Sequence, residues 1–183
     1  CRRPGHVSRM VADHCEPLGP ADRLGPEYGA QCVDAWRRRY PELFGEIRDA
    51  DGYSPRHTFF FPADQYSRQL VQPIAELCRE GHGELEIHIH HRNDTPESLT
   101  TLLSEYRDQL RRNHGALGGD REGRPVFAFV HGNWALCNSR PDGDWCGVDE
   151  ELSVLKRCGC YVDMTMPSAP SPTQARTINR VYY

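Results

Sequence analysis

Apolar runs and helical stretches alternate along this chain, and that alternation restricts its fold more than any other feature. Short apolar runs lie at 7–12, 57–62, 83–89, 126–130 and 160–166. Helical patterns fill the gaps at 28–40, 64–80, 95–112 and 148–157, with apolar residues recurring every three to four positions. Four strand-helix units followed by a fifth strand predict an α/β fold with a parallel sheet and right-handed crossovers. The punctuation agrees. Thr95-Pro96-Glu97 reads as a helix start, with a hydroxyl cap, proline at the first helical position and an acid in the first turn. Gly115 and Gly159 read as helix stops. Pro73 is expected to kink the second helix or mark its true start. The run His57-Thr58-Phe59-Phe60-Phe61-Pro62 suits a strand buried on both faces.

The third run carries the most chemistry. In Gly83 to Ile89, Leu85, Ile87 and Ile89 alternate with Glu84, Glu86 and His88, and His90 continues the polar series. Alternation places His88 and His90 on one side of a strand, about 6–7 Å apart along the backbone. One metal ion can bridge that span. His91 follows where the strand ends. The other strands also end in polar groups: Asp13 and His14 after the first, His131 and Asn133 after the fourth, Asp163 and Thr165 near the end of the fifth. In parallel α/β folds, ligands and catalysis gather at the carboxyl ends of the strands. Two imidazoles and a carboxylate there can hold a divalent ion, zinc being the expected one, and leave a position open for water. No nucleophile elbow, phosphate-cradling loop or dinucleotide fingerprint occurs.

Composition narrows the classes. The 183 residues suit a single domain, and a net charge of −4 gives no footprint for nucleic acid or an anionic membrane. No apolar run approaches the roughly 18 residues of a membrane span. The eight cysteines include no Cys-x-x-Cys pair and are too sparse for a disulfide scaffold. Reduced thiols and a reducing compartment, the cytoplasm, are the expectation; oligomeric state is left open. The abrupt start at Cys1 and the finish at Tyr182-Tyr183 suggest a domain trimmed at one or both ends.

From roughly His6 to Tyr183 the chain resembles the polysaccharide deacetylase-like (NodB-type) superfamily. Val11-Ala12-Asp13-His14 stands where that family has Thr-Phe-Asp-Asp, His57-Thr58-Phe59-Phe60 is similar to its Ala-Thr-Phe-Phe strand, and His88-Ile89-His90-His91 takes the place of its metal-binding histidines. His131-Gly132-Asn133-Trp134 falls near the segment that shapes the family's substrate groove. The resemblance implies an incomplete or distorted β/α barrel that hydrolyses an amide or ester carbonyl of a carbohydrate, most simply an N-deacetylase. It implies Asp13 as catalytic base, with His14, His88 and His90 as metal ligands. His131 becomes the candidate acid, because the family's late Leu-x-His motif does not occur. His91, Asn133, Trp134 and Asp163 are candidate substrate contacts. Two departures stand out: His14 replaces an aspartate, and the histidines lie two or three apart rather than four. Two alternatives carry different predictions. One is a barrel domain that binds carbohydrate or metal without turnover. The other is an amidohydrolase-like enzyme, whose His-x-His pair usually belongs to the first strand rather than the third.

Overall fold

The computed structural model of the chain describes residues 11–19, 23–166 and 173. They form a parallel sheet with helices between its strands. The elements in order are β1 (Val11–His14), α1 (Gly25–Phe44), β2 (His57–Pro62), α2 (Arg68–Leu77), β3 (Gly83–Ile89), α3 (Pro96–His114), β4 (Gly118–Gly119), β5 (Pro125–His131), α4 (Glu151–Arg157) and β6 (Cys160–Asp163). Strands β1, β2, β3, β5 and β6 pair in sequence order, all parallel. Only the two-residue β4 runs antiparallel, against the start of β5. It occupies the stretch expected to be a plain loop between Gly115 and Gly123. Among the described residues the outer strands β1 and β6 pair with β2 and β5 alone.

Strand alternation divides the core in two. Phe59, Phe61, Leu85, Ile87, Ile89, Phe127 and Phe129 point to one face and pack with residues of all four helices, among them Val33, Ile74, Leu103 and Val154. Phe60, Ala128 and Val130 point to the other face, against Val162 and Met164. β2 is therefore buried on both sides, as its uninterrupted apolar run predicts. Strands added in sequence order by crossovers of one hand place every connecting helix on the same face.

Local chemistry sets most boundaries. Thr95 caps α3: its Oγ accepts from Ser98 N–H, while Ser98 Oγ accepts from the Thr95 N–H, a capping box closed by serine. Pro73 neither starts nor ends α2. Ser67 caps that helix, three 3-10 residues (Ala63–Gln65) precede the cap, and Pro73 lies inside. A π-turn, Cys78–His82, leads into β3, with Gly81 at φ +93°. The strand expected at 7–12 lies partly outside the described residues, and β1 runs on to His14. α1 is longer at both ends than the 28–40 pattern, and carries Pro41 within it. No helix among the described residues is long and apolar enough to cross a membrane.

Candidate metal centre

The C-terminal ends of β1, β2 and β3 bring five polar side chains together. His14 pairs in register with Phe60, so its ring lies on the sheet face opposite the helices. His88 and His90 share that face from β3, their ring centroids 4.7 Å apart, with His14 4.5 Å from His88. The chain turns just after β1 and returns Glu16 over these rings. One oxygen of Glu16, Oε1, lies 3.7 Å from His14 Nδ1, 3.2 Å from His88 Nε2 and 3.6 Å from His90 Nε2. On the far side of His90, Nδ1 stands 3.0 Å from Asp64 Oδ1, just past the end of β2.

The electrostatics follow from this crowding. Contacts with His14, His88 and His90 hold the Glu16 carboxyl far below the ordinary carboxylate range, against the pull of burial. Burial pushes the His88 imidazole downward. Burial also opposes the His90 charge, but Asp64 and Glu16 outweigh it and carry that imidazole up to about 9. Gly132, just after β5, lies so close to the His90 ring that a Cβ would collide with it. A side chain there would displace the ring.

The donor set and spacing fit a divalent ion. The ligand atoms of His14, Glu16 and His88 all lie within 4.8 Å of one another. Donors around a tetrahedral zinc stand roughly 3.3 Å apart, given bond lengths near 2 Å. The observed separations from Glu16 Oε1 bracket that value.

A second cluster lies behind the rim, where β3 and β5 meet α4. His91, His131, Cys146 and Glu151 are all buried, with ligand atoms again within 4.8 Å of one another. Glu151 is its centre. Oε1 lies 3.1 Å from His91 Nε2 and 3.8 Å from His131 Nε2, while Oε2 accepts from Cys146 Sγ at 3.2 Å and from the Cys137 N–H at 2.8 Å. Behind His91, Nδ1 faces Asp94 Oδ2 at 3.1 Å. Burial lowers the His131 imidazole to about 4 and raises the Cys146 thiol to about 12. Each cluster is a set of side chains that could hold a metal ion.

The expected site residues divide sharply. His14, His88 and His90, remote in sequence, do converge. Asp13 does not join them. It pairs in register with Phe59, so alternation turns it to the helix face, where its charge acts on Cys15 and His57. Glu16 takes the place expected of Asp13 as the carboxylate among the histidines. His131 is wholly buried in the second cluster and cannot serve as an acid at the rim. His91 is not a substrate contact either, for its side chain is 1% exposed. Asn133 braces the fold through its amide, which donates to the His91 carbonyl at 3.0 Å. Asp163 bonds Thr165 at the end of β6, and burial raises its carboxyl. Trp134 is 38% exposed, and so free to meet a ligand. Trp145, also part-exposed, is stacked by Arg92 at 5.2 Å and Arg140 at 5.9 Å.

The residues missed left different traces. Glu16 and Asp64 each stand two positions beyond a strand end, within reach of the same rim rule that found the histidines. Glu151 shares its helix face with Val154 and Leu155, a carboxylate on an apolar stripe. Cys146 lies in a loop with no pattern to mark it. All seven described cysteines are free thiols. Comparisons with family models, with curated proteins and with solved structures find no match to this chain.

Proposed function

We propose that this protein is a metal-dependent hydrolase of a carbohydrate amide or ester, deacetylase-like in its chemistry and built on part of a β/α barrel. The observation that carries this reading is the ring of three imidazole nitrogens around Glu16 Oε1 at the carboxyl ends of β1 and β3. His14, Glu16 and His88 would hold the ion, zinc being the best match to an imidazole-rich set. Such an ion acidifies a water molecule and polarises a carbonyl. His90 supplies the proton transfers. Asp64 grips its Nδ1 and leaves Nε2 facing Glu16, which is the orientation a general acid-base imidazole requires. Trp134 offers an exposed face on which a sugar ring can stack. Sequential strand order and one-sided helices support the barrel part of the reading. The His-x-His pair lies on β3, in the middle of the strand order, and this disfavours the amidohydrolase alternative.

A non-catalytic metal or sugar-binding domain is the second reading. The position of Asp13, turned away from the histidines, favours it.

The test is acetate release from N-acetylated hexosamine oligomers by zinc-loaded protein. His88→Ala should lose zinc from the rim and reduce kcat/KM by about 100-fold or more. Asp64→Asn should keep the zinc yet reduce kcat by about 10- to 100-fold, since it disturbs only the imidazole that moves the proton. Turnover unaffected by either change would remove the hydrolase reading. Stoichiometric zinc without turnover of any acetylated sugar would leave the binding domain.

A further inference from the structure

We propose that His91, His131, Cys146 and Glu151 form a second, closed metal centre that holds a soft divalent ion such as zinc and ties the 132–150 loop to the sheet. The proposal is independent of the hydrolase reading, because it uses no residue of the rim cluster.

Three observations carry it. First, four different donors converge in a dry interior. His91 and Glu151 side chains are 1% and 0% exposed, and Cys146 is fully buried. Second, His131 Nε2 is buried without a hydrogen-bond partner and faces this centre, 3.8 Å from Glu151 Oε1. An unpaired polar atom in such a place is costly unless something binds it. Third, Asp94 stands behind His91. With Nδ1–H given to Asp94, Nε2, now 3.1 Å from Glu151 Oε1, is the nitrogen left to bind an ion once its contact with that carboxylate gives up its proton. A carboxylate behind an imidazole is the usual arrangement around a metal-bound histidine.

Charge also balances. A thiolate and a carboxylate neutralise a divalent ion, and two neutral imidazoles complete a four-coordinate set, so the site can stay buried without net charge. Loading displaces to solvent the Cys146 proton and the proton that His91 Nε2 and Glu151 Oε1 share across their 3.1 Å contact. It also moves the His131 proton from Nε2 to Nδ1, which gives up the contact that Nδ1 now accepts from Asn133 N–H at 3.1 Å. Asn133 stays anchored through its side chain to the His91 carbonyl. The thiolate selects zinc or cobalt over magnesium or calcium. With no ligand place left over, the centre is structural. It would fix the loop that carries Trp134 and Trp145, and that enters the cluster through Cys146.

Cobalt reports the thiolate directly. The metal-free full chain should be loaded with Co(II) or Zn(II) and examined by absorption and by elemental analysis. Wild type should bind two equivalents and show a near-ultraviolet thiolate-to-cobalt band. Cys146→Ser should lose one equivalent and the band, while His88→Ala should lose the other equivalent and keep the band. One equivalent with the band would uphold this centre and sink the rim site. A wild-type protein without the band, or a band that survives Cys146→Ser, overturns the proposal. Should Cys146→Ser fail to fold, X-ray absorption of zinc-loaded wild type decides: a sulfur neighbour supports the centre, and a purely nitrogen-oxygen shell overturns it.

Discussion

Single side chains decide what this chain can do, and Glu86 shows how far burial, helped by the nearby Glu84 charge, can move one. It lies on the face of β3 away from the helices, 4% exposed, in line with Phe60 of β2. Burial raises its carboxyl to about 8, although Ala128 N–H donates to it at 2.6 Å. In the unfolded chain the same group ionises near 4.5. Between those values the folded protein holds a proton that the unfolded chain has lost, so stability falls as pH rises from about 4.5 to 8 and then levels off. Glu86→Gln keeps an acceptor for Ala128 and removes the titration. It should be more stable than wild type at pH 8 by roughly 1–3 kcal/mol and nearly equal at pH 4.5, read by urea unfolding across that range. A difference that grows toward low pH would contradict the assignment. His90 and His88 show a different lesson. They share a strand face and are two residues apart, yet their imidazoles move in opposite directions: burial prevails at His88, whereas hydrogen bonds to Asp64 and Glu16 outweigh it at His90.

At the scale of elements, the cap of α3 and the turn after β5 do double duty. Asp94 Oδ1 accepts from Ser98 Oγ within the capping box, while Oδ2 faces His91. The start of α3 and the second cluster are thus one construction. Thr95→Ala should cost about 1 kcal/mol of stability, measured by thermal or urea unfolding, by leaving an N-terminal amide of α3 unsatisfied. Gly132→Ala should act differently. Its new methyl group would strike the His90 ring, so acetate release should fall by about 10-fold or more while the melting temperature changes little. A loss of fold with no separate loss of activity would argue that His90 has no working orientation to lose. Helix chemistry was readable in advance at α3, because Thr95, Pro96 and Gly115 punctuate an amphipathic stretch. At α2 Ser67 sets the start, so Pro73 lies within the helix and does not mark its beginning. Tertiary packing of Leu70, Val71 and Ile74 against the sheet overrides the proline there.

For the whole molecule, alternating runs foretold the parallel sheet, and period-two patterning foretold that His88 and His90 lie together. The failure at Asp13 has the same origin as that success. One residue of register places it on the opposite face from His14, and a motif resemblance does not contain that parity, whereas the strand pairing does. Glu16 and Asp64 were within reach, since each stands two positions beyond a strand end. Cys146 and Glu151 were not, because long-range folding alone brings a loop thiol and a helix carboxylate to His91 and His131. Five non-glycine residues with left-handed backbone, Asn93, Trp134, Cys137, Asn138 and Trp145, fall in the loops that close this end of the sheet. Strain of that kind gathers where a site must be held open or aimed. The central proposal is an ion held at the rim by His14, Glu16 and His88. A crystal of the zinc-loaded protein, measured at the zinc absorption edge, tests that most directly. An anomalous peak within bonding distance of His14 Nδ1, His88 Nε2 and Glu16 is the predicted result; no peak among those three side chains would contradict it.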